Sequence, residues 1–263
     1  MWWLGAGGRV GWVLAMQIDV PVALALVDAK DRPVAVSGLH ANWVLGCEAE
    51  PSRGRWTTLA CDVHDARFVV RPSSGSADEA EGVMAYVEQR VVGRAVTLSI
   101  RRGGGVRLGW TDELRGTGAQ QVADEALRGV LMAGLAALDL GVDGAATTVQ
   151  TRSGALSVPA ANGSMGTSLV VMTPVEGGHV TLQGRGVAHP ADTADTFQLV
   201  LSGDVVPAEG RVHVVVNGAP TAGSSSTWGR AGWPYHLDAS LTRVDIDALP
   251  AAAPVRLPEA EAL

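Results

Sequence analysis

Alternating apolar and polar residues run through most of the chain and predict β-strands. Apolar residues take every second position in Val96–Ile100 and again in Val106–Trp110, with a run of glycines between them. This pattern is typical of a hairpin with one buried face. Comparable strand-like segments are Trp56–Val70, Thr167–Met172, His179–Gly184, Phe197–Leu201, Arg211–Asn217 and Tyr235–Leu241.

Two segments show helical spacing instead. From Gly118 to Leu138 the apolar residues recur every three or four positions, and Gly141 is a stop signal. Little charge follows Arg128 in this segment, which predicts a long apolar helix that is largely buried, with Leu131 and Leu135 in the core. A second, weaker pattern predicts a short helix over Asp78–Arg90.

Strands on both sides of one helix favour an α+β fold. We expect predominantly antiparallel β-structure, about ten or more strands, curved around the one long apolar helix, with the second short helix beside it. Residues 1–246 are predicted to form a single β-rich domain, with a two-lobed split near 141–145 as the alternative. Residues 247–263, rich in Pro and Ala, are predicted to be an extended or disordered tail.

Composition and charge narrow the function classes. The chain has 263 residues, of which 47% are hydrophobic, so it can bury a core. Its net charge of −7 and lack of a basic stripe disfavour nucleic-acid binding. No apolar run reaches the length that crosses a bilayer, so no transmembrane segment is expected. The first residues are not a clear signal peptide, because Arg9 interrupts the apolar stretch.

Cys47 and Cys61 are the two cysteines of the chain. A hairpin centred on Gly54 would pair Leu45 with Val63 and place the two cysteines opposite each other. They are therefore a disulfide candidate, which favours the cell envelope, the periplasm or the extracellular space over the cytoplasm. The alternative is two small buried thiols in a reducing compartment.

Catalytic and cofactor signatures are missing. There is no nucleophile elbow, HExxH, CxxC or phosphate-binding GxxxxGK[ST] motif. The glycine-rich stretch Gly5–Gly11 has no room for a preceding strand and indicates a flexible arm. Asp62 with His64, and His236 with Asp238, would each share a strand face and could supply metal ligands or an acid–base couple if the strands converged. The simpler interpretation is two solvated faces, so no catalytic residue, metal site or cofactor is predicted.

The segment Ala95–Trp110, followed by Leu127–Leu140, resembles part of a known family. A strand, a glycine turn, a second strand and an apolar helix follow each other here as in the N-terminal β-barrel of large lipid transfer proteins of the vitellogenin type. The cysteine-bearing strands upstream are also loosely similar. No functional residue is carried over from this resemblance.

Three function hypotheses follow from the sequence. The first is a non-enzymatic, envelope-associated or secreted β-rich protein that binds a lipid or another apolar ligand. The second is a protein–protein interaction or assembly module without a small ligand, in which the Trp-rich N-terminus and the Pro-rich tail dock to a partner. The third is an enzyme whose site cannot be read from the sequence. The identity of ligand-binding residues is left unknown.

Overall fold

A computed structural model describes residues 8–27, 33–50, 56–72, 77–101, 105–110, 118–144, 149–159, 165–188, 197–220 and 235–249. The first half contains strands β1 (Arg9–Val27), β2 (Pro33–Ala49), β3 (Trp56–Pro72), β4 (Ala95–Arg101) and β5 (Gly105–Trp110) and helix α1 (Ala77–Val91). Helix α2 (Gly118–Gly144) is followed by strands β6 (Gln150–Pro159), β7 (Met165–Pro174), β8 (Val180–Ala188), β9 (Phe197–Val206), β10 (Arg211–Pro220) and β11 (Tyr235–Val244).

All eleven strands belong to one sheet, in the order β5-β4-β3-β2-β1-β11-β10-β9-β8-β7-β6. Every pairing between neighbours is antiparallel. The sheet therefore consists of two meanders, β1–β5 and β6–β11, joined in the middle where β1 pairs with β11. The antiparallel sheet agrees with the alternation in the sequence.

The strand alternation separates two faces of the sheet. Residues such as Leu14, Trp43 and Leu241 are fully buried on the face that we call the inner face. Their strand neighbours, among them Gln17 and Asn42, are exposed on the opposite, outer face. Helix α2 packs on the inner face and contacts strands from β5 at one edge to β6 at the other. The core thus lies between the inner face and the helices.

The predicted fold class is wrong in its helical part: no long apolar helix exists in the described chain. The segment that is almost free of charge is only the centre of α2, which runs 27 residues and takes in Asp124, Glu125, Asp139 and Asp143. Leu127, Val130, Leu131, Leu135 and Leu138 are buried, whereas Arg128 is exposed. Charged residues therefore occur towards both ends of α2, and the helix as a whole is not an apolar rod.

Helix α1 has a structural role that the prediction of a minor second helix missed. It spans 15 residues and buries Val83, Met84, Val87 and Val91. It also covers the edge of β3 beyond the last pairing with β4, where Glu88 Oε1 accepts a hydrogen bond of 2.7 Å from the Phe68 amide. A side chain thus satisfies a backbone donor that lacks a strand partner.

The predicted register of the β2–β3 hairpin is confirmed. Leu45 pairs with Val63, and Cys47 pairs with Cys61 with their Cα atoms 4.0 Å apart. The two cysteines form a disulfide, and both side chains are buried. The bond therefore crosses two neighbouring strands on the inner face.

Two predictions about the ends of the chain meet different outcomes. Arg9 onward is not a flexible arm but the start of the central strand β1, while residues 5–7 lie outside the described residues. The predicted tail begins with a 3₁₀ turn at Ile246–Ala248, and its residues 250–263 lie outside the described residues. Among the described helices, none is both long and apolar enough to cross a membrane.

Candidate functional site

A cleft of about 350 Å³ opens on the outer face of the sheet, where β1–β4 meet the turn Ile246–Ala248. We call it the outer cleft, and it is lined chiefly by Arg9, Glu48, Asp62, His64, Thr97 and Ile246. Four neighbouring strands supply its side chains because outward-facing residues of adjacent strands lie side by side. The disulfide lies directly behind it, since Cys61 also contributes to the lining.

Two paired glycines let neighbouring groups lie close against the sheet beside the cleft. Gly11 of β1 pairs with Gly46 of β2, so the sheet has no side chains there on its outer face. A Cβ atom on Gly46 would lie 2.7 Å from Nε2 of His64, and one on Gly11 would lie 3.1 Å from the carbonyl oxygen of Val244. Leu249 reaches over the same pair of glycines. The C-terminal segment and the His64 ring can therefore lie close against the sheet.

Arg9 connects the wall of the cleft to the C-terminal turn. Its Nε atom lies 2.8 Å from Oε1 of Glu48, and its Nη1 atom lies 3.4 Å from Oδ1 of Asp247. The turn itself is capped by Asp245, whose Oδ1 accepts a hydrogen bond of 3.0 Å from the Asp247 amide. These contacts hold Ile246 at the cleft, although each exposed ion pair adds little stability by itself.

The two His/Asp pairs do not converge. Strands β2 and β1 separate β3, which carries Asp62 and His64, from β11, which carries His236 and Asp238. Three strand spacings amount to roughly 14 Å. The pairs are also offset along the strands. Asp62 pairs with Gly46, Gly46 pairs with Gly11, and Gly11 pairs with Val244, so the β11 residue level with Asp62 is Val244 and not His236 or Asp238. Each pair therefore belongs to a separate part of the outer face.

The β11 pair takes partners on β10 instead. His213 Nε2 lies 2.9 Å from Oδ1 of Asp238, and His236 Nδ1 lies 2.8 Å from Oδ1 of Asn217. All of these groups are at least partly solvated. Within the described ranges, no group of three or more His, Cys, Asp or Glu side chains is placed to hold a metal ion.

Three of the four described tryptophans belong to the core, and the fourth, Trp56, is half-buried; none of the four is among the cleft-lining residues. Trp12, Trp43 and Trp110 are buried, and the Trp43 ring meets Phe68 edge-on with 5.0 Å between the ring centroids. Trp110 Nε1 donates a hydrogen bond to Asp124 of α2. Trp2 and Trp3 of the N-terminus, which the interaction hypothesis uses, lie outside the described residues, as do Trp228 and Trp233.

Sequence reasoning identified Asp62 and His64 but missed the residues that surround them. Arg9, Glu48, Thr97 and Ile246 are far apart in the sequence and meet only through strand pairing. One local signal was present: Gly11 and Gly46 interrupt strand-like segments, and a glycine inside a strand often marks a close approach of another group.

Comparison with known proteins adds no relative. No protein-family model, no curated protein and no solved structure matches this chain.

Proposed function

We propose that this chain is a non-enzymatic binding protein of an oxidising compartment and that it binds its ligand in the outer cleft. The observation that carries the proposal is the cleft itself, because it combines a defined volume with charged and polar groups from four strands and the C-terminal turn. Ligand sites are concave and contain a few convergent polar groups.

The disulfide supports the proposal that the protein resides in an oxidising compartment. Bonds such as Cys47–Cys61 form and persist in secreted, periplasmic and surface proteins, whereas cytosolic thiols are kept reduced. The pair is buried next to the cleft, so it also ties together the strands that form the cleft wall. The cell envelope, the periplasm or the extracellular space is therefore the proposed location.

The chemistry of the cleft favours a polar or charged ligand over a lipid. Arg9, Glu48 and Asp62 line it, and lipid tails gain nothing from such groups. On the inner face, α2 approaches β11 so closely at Gly134 that an added Cβ atom would lie 3.1 Å from Cβ of Leu241. An apolar ligand there would have to displace the helix. The lipid hypothesis and the likeness to vitellogenin-type proteins remain predictions.

The proposal is tested by filling the cleft. We would titrate ¹⁵N-labelled protein with a panel of small cationic, anionic, sugar and apolar fragments. At least one fragment should shift the amide signals of Gly46, Asp62 and Thr97 in a saturable way. Ala60→Trp, at an exposed position that lines the cleft, should abolish these shifts. Ala219→Trp is the matched control, since Ala219 is exposed on the outer face of β10 away from the cleft.

Two results would contradict the proposal. One is that no fragment of any class perturbs the three cleft amides. The other is that the perturbations persist unchanged in folded Ala60→Trp protein. Far-UV circular dichroism of both tryptophan variants shows whether the fold is retained.

A further inference from the structure

We propose that the outer cleft selects a cationic nitrogen group, an alkylammonium or a guanidinium, on a short apolar stem. This inference rests on the proposed function and specifies its ligand class. It follows from three features of the cleft: the ion pairs of Arg9, the carboxylate that is left unpaired among the described residues, and the shape and polarity of the walls.

Arg9, the one arginine among the described residues that line the cleft, is already neutralised. Arg9 contacts Glu48 through Nε and Asp247 through Nη1. An anionic ligand would have to compete with both carboxylates for this guanidinium group, and it would approach three carboxylates when Asp62 is included. Like charges in such proximity oppose binding. Arg9 therefore stabilises the wall of the cleft and does not serve as a binding site for anions.

Asp62 is the carboxylate that remains available. It is exposed, and within the described part of the chain the structure shows no ion pair or hydrogen bond for its side chain. It lies between Gly46 on one neighbouring strand and Ala95 on the other, neither of which offers a polar side chain. Among the described residues of the cleft, Arg9 is outnumbered by the carboxylates of Glu48, Asp62 and Asp247, so these residues have a formal excess of negative charge.

The walls fit a short alkyl stem. Ala60, Ala95 and Ile246 supply apolar surface beside Asp62, and Thr97 adds one hydroxyl group. The His64 ring, which lies over Gly46, forms a further part of the wall. A volume of about 350 Å³ is at the small end of the range for ligand clefts. It suits a group the size of a lysine side chain better than a large ligand.

Three probes with the same alkyl chain test the class: n-butylammonium, n-butyrate and n-butanol. We expect n-butylammonium alone to give saturable shifts of the Gly46, Asp62 and Thr97 amides. Asp62→Asn should weaken that binding by about threefold to fivefold, as expected for one exposed ion pair. Asp204→Asn, on the outer face of β9, is the control and should bind as the wild type does.

The outcomes separate this inference from the proposed function. Equal binding of n-butyrate or n-butanol in the cleft, or unchanged n-butylammonium binding by Asp62→Asn, would overturn the cationic class while the cleft remained a binding site. No cleft shift with any of the three probes would remove the cationic class, and the fragment panel would then decide on the cleft itself.

The same titration distinguishes two sources of the cation. Nα-acetyl-lysine N-methylamide presents the ammonium group as a polypeptide would. Tighter binding of this compound than of n-butylammonium indicates a basic side chain of a partner protein, and equal binding indicates a free amine. Either result supports the cationic class, whereas exclusion of both compounds from the cleft contradicts it.

Discussion

At the scale of single residues, Gly210 shows how one position fixes a connection between strands. It follows the 3₁₀ turn Pro207–Glu209 with φ of 62°, and its amide donates to the Pro207 carbonyl oxygen over 3.0 Å. Its own carbonyl oxygen accepts a hydrogen bond from Arg243 of β11 over 3.1 Å. A Cβ atom there would lie 2.8 Å from Cβ of Arg243.

Gly210→Ala is therefore expected to be more destabilising than a positive φ alone explains. Gly178 is the matched control, because its φ is 76° and no atom lies within 4 Å of a built Cβ. Gly178→Ala should lower the free energy of unfolding by about 1–2 kcal/mol, the cost of the left-handed conformation. Gly210→Ala should lose about 1–3 kcal/mol more through overpacking. Urea unfolding measures the stability of both variants. Equal losses of unfolding free energy would show that the Arg243 side chain moves away from the new Cβ atom without cost.

At the scale of elements, α2 is held by the buried side chains of its central turns. Leu131 is 2% exposed and Leu135 is 4% exposed, as the helical spacing predicted. Small residues between them, such as Gly134, let the helix axis approach β11. The stability of this helix therefore depends on its packing against the sheet more than on its own propensity, which two central glycines reduce.

Leu131→Ala is expected to lower the free energy of unfolding by about 2–5 kcal/mol, because it removes buried methyl groups and leaves a cavity. Arg128→Ala on the exposed side of the same helix is the control and should change stability by less than about 0.5 kcal/mol. Urea unfolding measures the free energies, and the comparison requires that both variants have the m-value of the wild type. Similar small effects for both variants would mean that α2 does not form part of the core.

The edge strands have features that discourage pairing with other chains. β5 has only six residues and carries the exposed Arg107, whose guanidinium group stacks on Trp56 at 4.4 Å from the ring centroid. β6 has an irregular register against β7 between Arg152 and Leu156, and it ends at Pro159. Charges, bulges and proline are common means of protecting a sheet edge.

At the scale of the whole molecule, β1 joins the two halves of the sheet. It pairs with β2 on one side and with β11 on the other, so Leu14 lies between Trp43 and Leu241, its partners on these two strands. Helix α2 carries the chain from one edge of the sheet to the other. Both meanders therefore contribute side chains to one hydrophobic core.

We therefore expect one cooperative unfolding transition. Far-UV circular dichroism and tryptophan fluorescence should give the same urea midpoint, because three buried tryptophans of the first meander pack in the shared core. The single domain predicted over residues 1–246 would then be supported. Two separate midpoints would instead favour the split near 141–145 and would contradict the joining role of β1.

Part of this architecture follows from local sequence patterns. The alternation at Val96–Ile100 defines a strand with one buried face, and the spacing around Leu131 defines a helix side. The prediction of a long apolar helix failed because it rested on the uncharged centre of α2. The spacing of apolar residues there does not show how far the helix continues into segments that carry charge. Sequence reasoning also could not foresee that β3 has one extra residue near His64, since Val44 pairs with Asp65 but Leu45 pairs with Val63. Such a bulge changes which residues face inward.

The sequence by itself determined what depends on neighbours along the chain: strand faces, the side of α2 that is buried, and the opposition of Cys47 and Cys61 across one hairpin. The tertiary structure alone decided that the first and last strands pair and that Arg9 and Ile246 meet Asp62 at one cleft. A hairpin register is set by a short turn and an alternating pattern. Contacts between residues more than two hundred positions apart have no local signal, because they depend on the packing of the whole sheet.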